Sequence, residues 1–135
     1  MERTLFMIKP DAVARGLVGE LVAVVEREGL TPERLELQRF DRAKAEAFYN
    51  VHRDKPFFEN LISYITSGPV VPMVLSGENA IQRVRDLMGA TDPAQAAAGT
   101  IRRKFGESLE RNAVHGSDSP ASARDEIAVV FGEPA

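Results

Sequence analysis

The stretch Asn112 to Pro120, NAVHGSDSP, sets one of only two histidines in the chain among small and polar residues that cannot fill a core. Neutral imidazole is an effective general base and a good nucleophile near neutral pH, so His115 is the strongest single candidate for chemistry. A metal site is disfavoured. His115 and Asp118 lie close together, but no His-x-x-x-His or comparable ligand spacing exists. A serine hydrolase is disfavoured too, because G-x-S-x-G is absent and Ser117 is awkwardly close to His115 for a triad. The other histidine, His52, sits in NVHRDKP near a helix end, where a capping or surface role suits it. Phosphate chemistry uses the remaining residues better. Lys9, Arg85 and Arg102 offer localised positive charge, Thr91 a hydroxyl, and the loop glycines allow close backbone approach to anionic oxygens. The chain has no G-x-x-x-x-G-K-[ST] loop, which excludes a P-loop kinase at the motif level; if phosphate binds here, the acceptor could be His115 itself.

These residues need a scaffold. RTLFMI, residues 3–8, is an apolar run of strand formers that stops at Lys9-Pro10 and carries the lysine at its end. GLVGELVAVVEREGL follows as a helix, with Val18, Leu21, Val22 and Val25 on one face and Gly29 as a left-handed stop. ERLELQRF alternates weakly through Leu35 and Leu37 as a second strand, and Asp41 caps a helix over RAKAEAFYNVH. Pro56 opens a helix with Phe58, Leu61, Ile62 and Ile65 beneath it, which leaves Phe57 on the flank. VVPMVL reads as a third strand, where Pro72 removes a ladder donor and implies an edge or a bulge. In GENAIQRVRDLMG, Ala80, Ile81, Val84, Leu87 and Met88 form the buried stripe, Arg85 borders it, and Arg83 points to the opposite side. Between Gly89 and Ser119 no periodicity survives, so the segment is either a functional loop or a failed assignment, and its content favours function. Ser119-Pro120 then caps a short helix over ASARDE, leading to a final strand IAVVF. The order implies an α+β sandwich of ferredoxin-like type, a four-stranded antiparallel sheet covered by helices with a long irregular loop before His115.

Size and composition bound the function. A chain of 135 residues suits a single domain, residues 1–135. It has no cysteine, so disulfides, thiolate metal sites and a cysteine nucleophile are unavailable, and a cytoplasmic setting fits. The N-terminal MERTLFMIKP reads as neither a signal peptide nor a membrane span. A net charge of −3 argues against long-range attraction to nucleic acid or an anionic membrane, so any polyanion site must be local.

NAVHGSDSP resembles the active-site signature of nucleoside diphosphate kinases, Asn-x-x-His-Gly-Ser-Asp-Ser, a long and specific motif. MIKPDAVARGLVGE, HRDKPFF, SGPVVPMVL and GATDPAQAAAGTIRRKFG are similar to other segments of that family, in the same order. The resemblance implies transfer of the γ-phosphate of a nucleoside triphosphate to a nucleoside diphosphate, with His115 carrying the phosphoryl group between two steps of a ping-pong cycle. It implies that Glu126 orients the imidazole with Ser119 supporting it, and that Tyr49 lies beside the histidine. Lys9, Arg85, Thr91 and Arg102 match phosphate-contacting positions, Asn112 with Lys9 the ribose-binding pair, and Phe57 the aromatic on which the base stacks. Leu109 would face the base from the other side. Mg²⁺ is implied through the nucleotide phosphates, with no metal-ligating protein residues. The family also implies a homo-oligomer, a tetramer being favoured here by the short tail. Departures from the family pattern are Pro72, Ala98, and Arg103-Lys104 after Arg102. Three other readings remain: a nucleotide sensor without turnover, which leaves His115 unexplained; a phosphohistidine carrier served by a protein, which leaves Asn112 and Phe57 unexplained; and single-strand nucleic-acid binding, against which the acidic balance argues.

Overall fold

The computed structural model describes residues 1–133. Strands β1 (Glu2–Ile8), β2 (Thr31–Leu35), β3 (Val71–Gly77) and β4 (Val114–Gly116) form one sheet in the order β2-β3-β1-β4, antiparallel throughout. Two crossovers build it. Helices α1 (Pro10–Ala14) and α2 (Val18–Arg27) connect β1 to β2, while α5 (Ala80–Met88) and α6 (Ile101–Phe105) lie between β3 and β4. Helices α3 (Arg42–Phe48) and α4 (Phe58–Ile65) are inserted between β2 and β3, and α7 (Pro120–Phe131) ends the described chain. This is the expected ferredoxin-like α+β sandwich.

Alternation along β1 separates two cores. Phe6 and Ile8 join Leu21, Val25, Met73, Val84 and Met88 on one face, under α2 and α5. Leu5 and Met7 join Phe48, Phe58, Ile62, Ile127 and Val130 on the other, under α3, α4 and α7. Burial on both faces makes β1 a continuous apolar run. Gly29 takes φ +87° as the stop of α2, and the Asp41 side chain accepts the Lys44 amide at 2.8 Å as the cap of α3.

Several elements differ from the sequence-based expectation. The segment IAVVF is helical, because Ala123, Ile127 and Val130 recur at helical spacing and bury together; packing overrides the strand preference of β-branched residues. The fourth strand is instead Val114–Gly116, so His115 stands in the sheet. The irregular segment also holds α6 and a short 3₁₀ turn at Pro93–Gln95. Helix α1 was hidden by its proline, which stands at the first helical position. Helix α4 starts at Phe58, with Phe57 at its cap, and α3 stops at Phe48 before a 3₁₀ turn, Asn50–His52. Strand β2 stops at Leu35, which is exposed, as is Leu37 just beyond it. Pro72 lies on an interior strand, not an edge: its carbonyl accepts the Glu36 amide at 3.2 Å, so its missing donor faces the place where β2 has already ended. Arg83 is half-buried rather than splayed into solvent, donating to the carbonyls of Glu28 and Glu78.

Candidate active site

Strand β4 pairs His115 with Met7, Val114 with Ile8 and Gly116 with Phe6. Because side chains alternate, Val114 enters the core beneath α5 while the imidazole emerges on the opposite face, beside α7. Gly116 lies close against α5: a Cβ there would stand 2.7 Å from Met88 Cε and 3.0 Å from Val84 Cγ1.

The imidazole is held from two sides. Its Nε2 lies 2.9 Å from Glu126 Oε1. A carboxylate only accepts, so Nε2 carries the proton and Nδ1 presents its lone pair, without a hydrogen-bond partner among the described residues. The Phe48 ring meets the imidazole edge-on at 5.0 Å. Expected beside the histidine, Tyr49 stacks edge-on against Phe48 at 5.0 Å, and burial followed by the Glu126 charge raises its hydroxyl pKa. The hydroxyl supporting Glu126 belongs to Ser117, whose Oγ donates to Oε1 at 2.7 Å and accepts the Leu5 amide at 3.3 Å. Ser119 instead caps α7, accepting the Ser122 amide at 3.1 Å in a reciprocal capping box, because its position before Pro120 aims it at the helix terminus.

Cationic groups border this couple. Arg102 on α6 is buried and donates to Gly89 O at 3.1 Å and Val114 O at 2.9 Å, which ties it to the strand of His115. Its Nε is buried without a partner among the described residues. Desolvation, then the charge of Arg85, brings its pKa down to about 10. Arg85 is exposed on α5. Hydrogen bonding with Ser122, and then the charge of Arg85, hold the Asp118 carboxyl below its usual range against an opposing desolvation. Thr91 is exposed, and its carbonyl accepts Asn112 Nδ2 at 3.0 Å.

Lys9 is buried at the end of β1, where Nζ donates to Asn112 Oδ1 at 2.8 Å and Glu110 O at 3.0 Å. Burial pushes its pKa down to about 8, opposed by the nearby Asp11 carboxylate. Phe57 is 42 % exposed, its ring 5.5 Å from that of His52, which lies 6.2 Å from Tyr49; the second histidine thus links cleft aromatics. Leu109 is 61 % exposed on the loop before Lys9's acceptors. Among the described residues no group of three or more histidine or carboxylate side chains could hold a metal.

Sequence reasoning missed Ser117, Phe48, Asp11 and Tyr64. Reading VHGS as a strand would have placed Ser117 on the face of His115 by its period of two. Phe48 looks like any core aromatic, and nothing local marks Asp11 or Tyr64.

Fold and site together give an α+β sandwich whose edge strand carries a histidine–glutamate couple, with the second ring nitrogen free of a partner among the described residues. A family model for nucleoside diphosphate kinase matches residues 2–135. The nucleoside diphosphate kinase of Pelotomaculum thermopropionicum is 56 % identical over 131 residues, covering 97 % of this chain and 88 % of that one. That of Bordetella avium is 54 % identical over 133 residues, covering 98 % and 94 %. Among solved structures, the Aquifex aeolicus enzyme superposes with TM-score 0.94 at 46 % identity, covering 96 % of this chain and 94 % of that one. A halophilic nucleoside diphosphate kinase from Halobacterium salinarum in complex with CDP does so with TM-score 0.95 at 47 % identity, covering 98 % and 88 %. The chain belongs to the nucleoside diphosphate kinase family and is an enzyme of that class.

Proposed function

We propose that residues 1–135 act as a single domain that passes the γ-phosphate of a nucleoside triphosphate to a nucleoside diphosphate through phosphohistidine on Nδ1 of His115. The carrying observation is the 2.9 Å contact of Nε2 with Glu126, which leaves Nδ1 as the ring's free nucleophile. In the first step the Nδ1–P bond forms as the bond from Pγ to its bridging oxygen breaks, and the diphosphate departs with that electron pair. In the second, a terminal oxygen of another diphosphate attacks phosphorus and Nδ1 leaves. Both steps use one site in line. As the imidazole becomes positive, Glu126 stabilises it and Ser117 holds the carboxylate.

The cationic cleft supports the substrate assignment. Arg85 and Arg102 neutralise charge on the transferring group, and Thr91 adds a hydroxyl. Lys9 and Asn112, already bonded to each other, take the ribose hydroxyls. Phe57 stacks on the base with Leu109 opposite, and Tyr49 lines the histidine pocket through Phe48. Stacking tolerates every base, which suits ATP, GTP, ADP, GDP and their deoxy forms. The cationic side chains fit Mg²⁺ carried on the phosphates rather than caged by protein carboxylates. When bound, the ion neutralises phosphate charge and helps orient the chain of phosphates. Exposed Leu35 at the end of β2 and Leu37 just beyond it are compatible with a homo-oligomer, for which the resemblance favours a tetramer over a hexamer or dimer. The absence of cysteine supports a cytoplasmic setting. Among the described residues no helix is long and apolar enough to cross a membrane.

Incubation with Mg²⁺ and γ-labelled triphosphate should yield acid-labile label on the protein, discharged by a different diphosphate. His115→Asn protein exchanging phosphate at the wild-type rate would overturn this mechanism; nucleotide binding without labelled protein would favour a sensor.

A further inference from the structure

The geometry points to Asp11 as a positioning residue, a buried carboxylate that clamps the backbone turn joining Asn112 to the His115 strand and supplies the counter-charge for Lys9. The assignment rests on the cycle proposed above but concerns a residue that touches neither nucleotide nor imidazole. Asp11 lies on α1 and is buried. Its Oδ2 accepts the Ala113 amide at 3.1 Å, and its Oδ1 accepts the Tyr64 hydroxyl, which in turn accepts the Asp11 amide at 3.1 Å.

What it clamps is strained. Ala113 has φ +75°, and across it the Val114 amide donates to Asn112 O at 2.9 Å, the bond of a γ-turn that side-chain-bearing residues rarely adopt. The Ala113 carbonyl is occupied as well, accepting the Lys9 amide at 2.9 Å. One turn thus aims Asn112 toward Lys9 Nζ on one side and starts the His115 strand on the other. A strained turn between two functional residues persists only if its surroundings over-determine it, and Asp11 supplies the side-chain contact that does so.

The same carboxylate opposes the desolvation of Lys9. The groups facing Lys9 are Asp11 from α1, Tyr64 from α4, Arg102 from α6, and Glu110 from the loop before β4. Arg111 from that loop also covers the Tyr64 ring, at 5.4 Å. The Asp11 carboxylate favours the ammonium beside the two hydrogen bonds that Nζ donates to Asn112 Oδ1 and Glu110 O.

The test uses full-length wild type, Asp11→Asn and Tyr64→Phe. The Lys9 side-chain resonance, labelled at ¹³Cε and assigned with Lys9→Arg, is titrated alongside the pH profile of kcat/KM. In the wild type, the resonance and the alkaline fall of kcat/KM should share a midpoint. In Asp11→Asn both should move down by about one pH unit or more, with nucleotide KM rising at neutral pH. A merely structural Asp11 would lower stability and leave both midpoints in place, which overturns the inference. Should Asp11→Asn not fold, Tyr64→Phe loosens the clamp while keeping the charge. An unmoved Lys9 midpoint with KM raised several-fold then supports the assignment, and unchanged KM overturns it. The resonance needs no turnover, so failure of the labelling experiment and failure of this inference are separately visible.

Discussion

Lys9 should make the stability of this protein depend on pH in a direction unusual for lysine. Burial brings its pKa from 10.5 down to about 8, so at pH 7 the folded protein holds a charge that its surroundings disfavour by about 3 kcal/mol. The folded state releases this proton near pH 8, whereas the unfolded chain keeps it until about 10.5. Between those values the unfolded state binds more protons, and stability rises with pH. Lys9→Met removes the titration. The informative quantity is the wild-type minus Lys9→Met difference in unfolding free energy, which should shift in favour of the wild type by about 2–3 kcal/mol from pH 7 to pH 10. Taking the difference cancels other groups, including Tyr49 and Tyr64, whose raised values act the opposite way above pH 10. The lost bonds to Asn112 Oδ1 and Glu110 O offset the curves by a constant without changing their pH trend. Urea denaturation followed by far-ultraviolet circular dichroism suits a chain without tryptophan. Parallel stability curves for the two proteins would refute the argument that Lys9 is buried as a disfavoured cation.

The two serines around the histidine should separate chemically. Ser117→Ala removes a hydroxyl from Glu126 and should lower kcat about 10-fold, in proportion to about 1–1.5 kcal/mol of support, whereas Ser119→Ala removes the α7 cap and should chiefly lower Tm, by the equivalent of about 1 kcal/mol. Stopped-flow turnover beside thermal melts distinguishes them, and equal losses of kcat would be contrary to the assignment. Gly116→Ala forces a methyl against Met88 and Val84 and should destabilise by about 1–3 kcal/mol. Combining it with Met88→Ala should recover part of that loss in urea melts; no recovery would mean that the clash is not the cause.

Much of the scaffold was legible because its signals are local. The apolar run ending at Lys9, the stripe through Leu21 and Val25, the Asp41 cap and the Ser119-Pro120 start each depend on neighbours within a turn or two. The motif around His115 is local as well, and the structure sets its imidazole against Glu126 while Lys9 bonds Asn112. The failures share a cause. IAVVF and VHG carry similar strand preferences, but one packs as a helix across both α3 and β1 while the other is short and completes the sheet beside β1.

By itself, then, the sequence determined the order of most elements, the family through its motifs, and the chemistry available to an imidazole at His115. Only the tertiary structure decided that His115 is a strand residue facing α7, that Nδ1 rather than Nε2 is free, and that Ser117 rather than Ser119 supports Glu126. It alone brought Asp11 onto the Ala113 turn. Those outcomes depend on which face of a strand a side chain leaves and on hydrogen bonds between residues far apart in the chain, which local spacing does not encode.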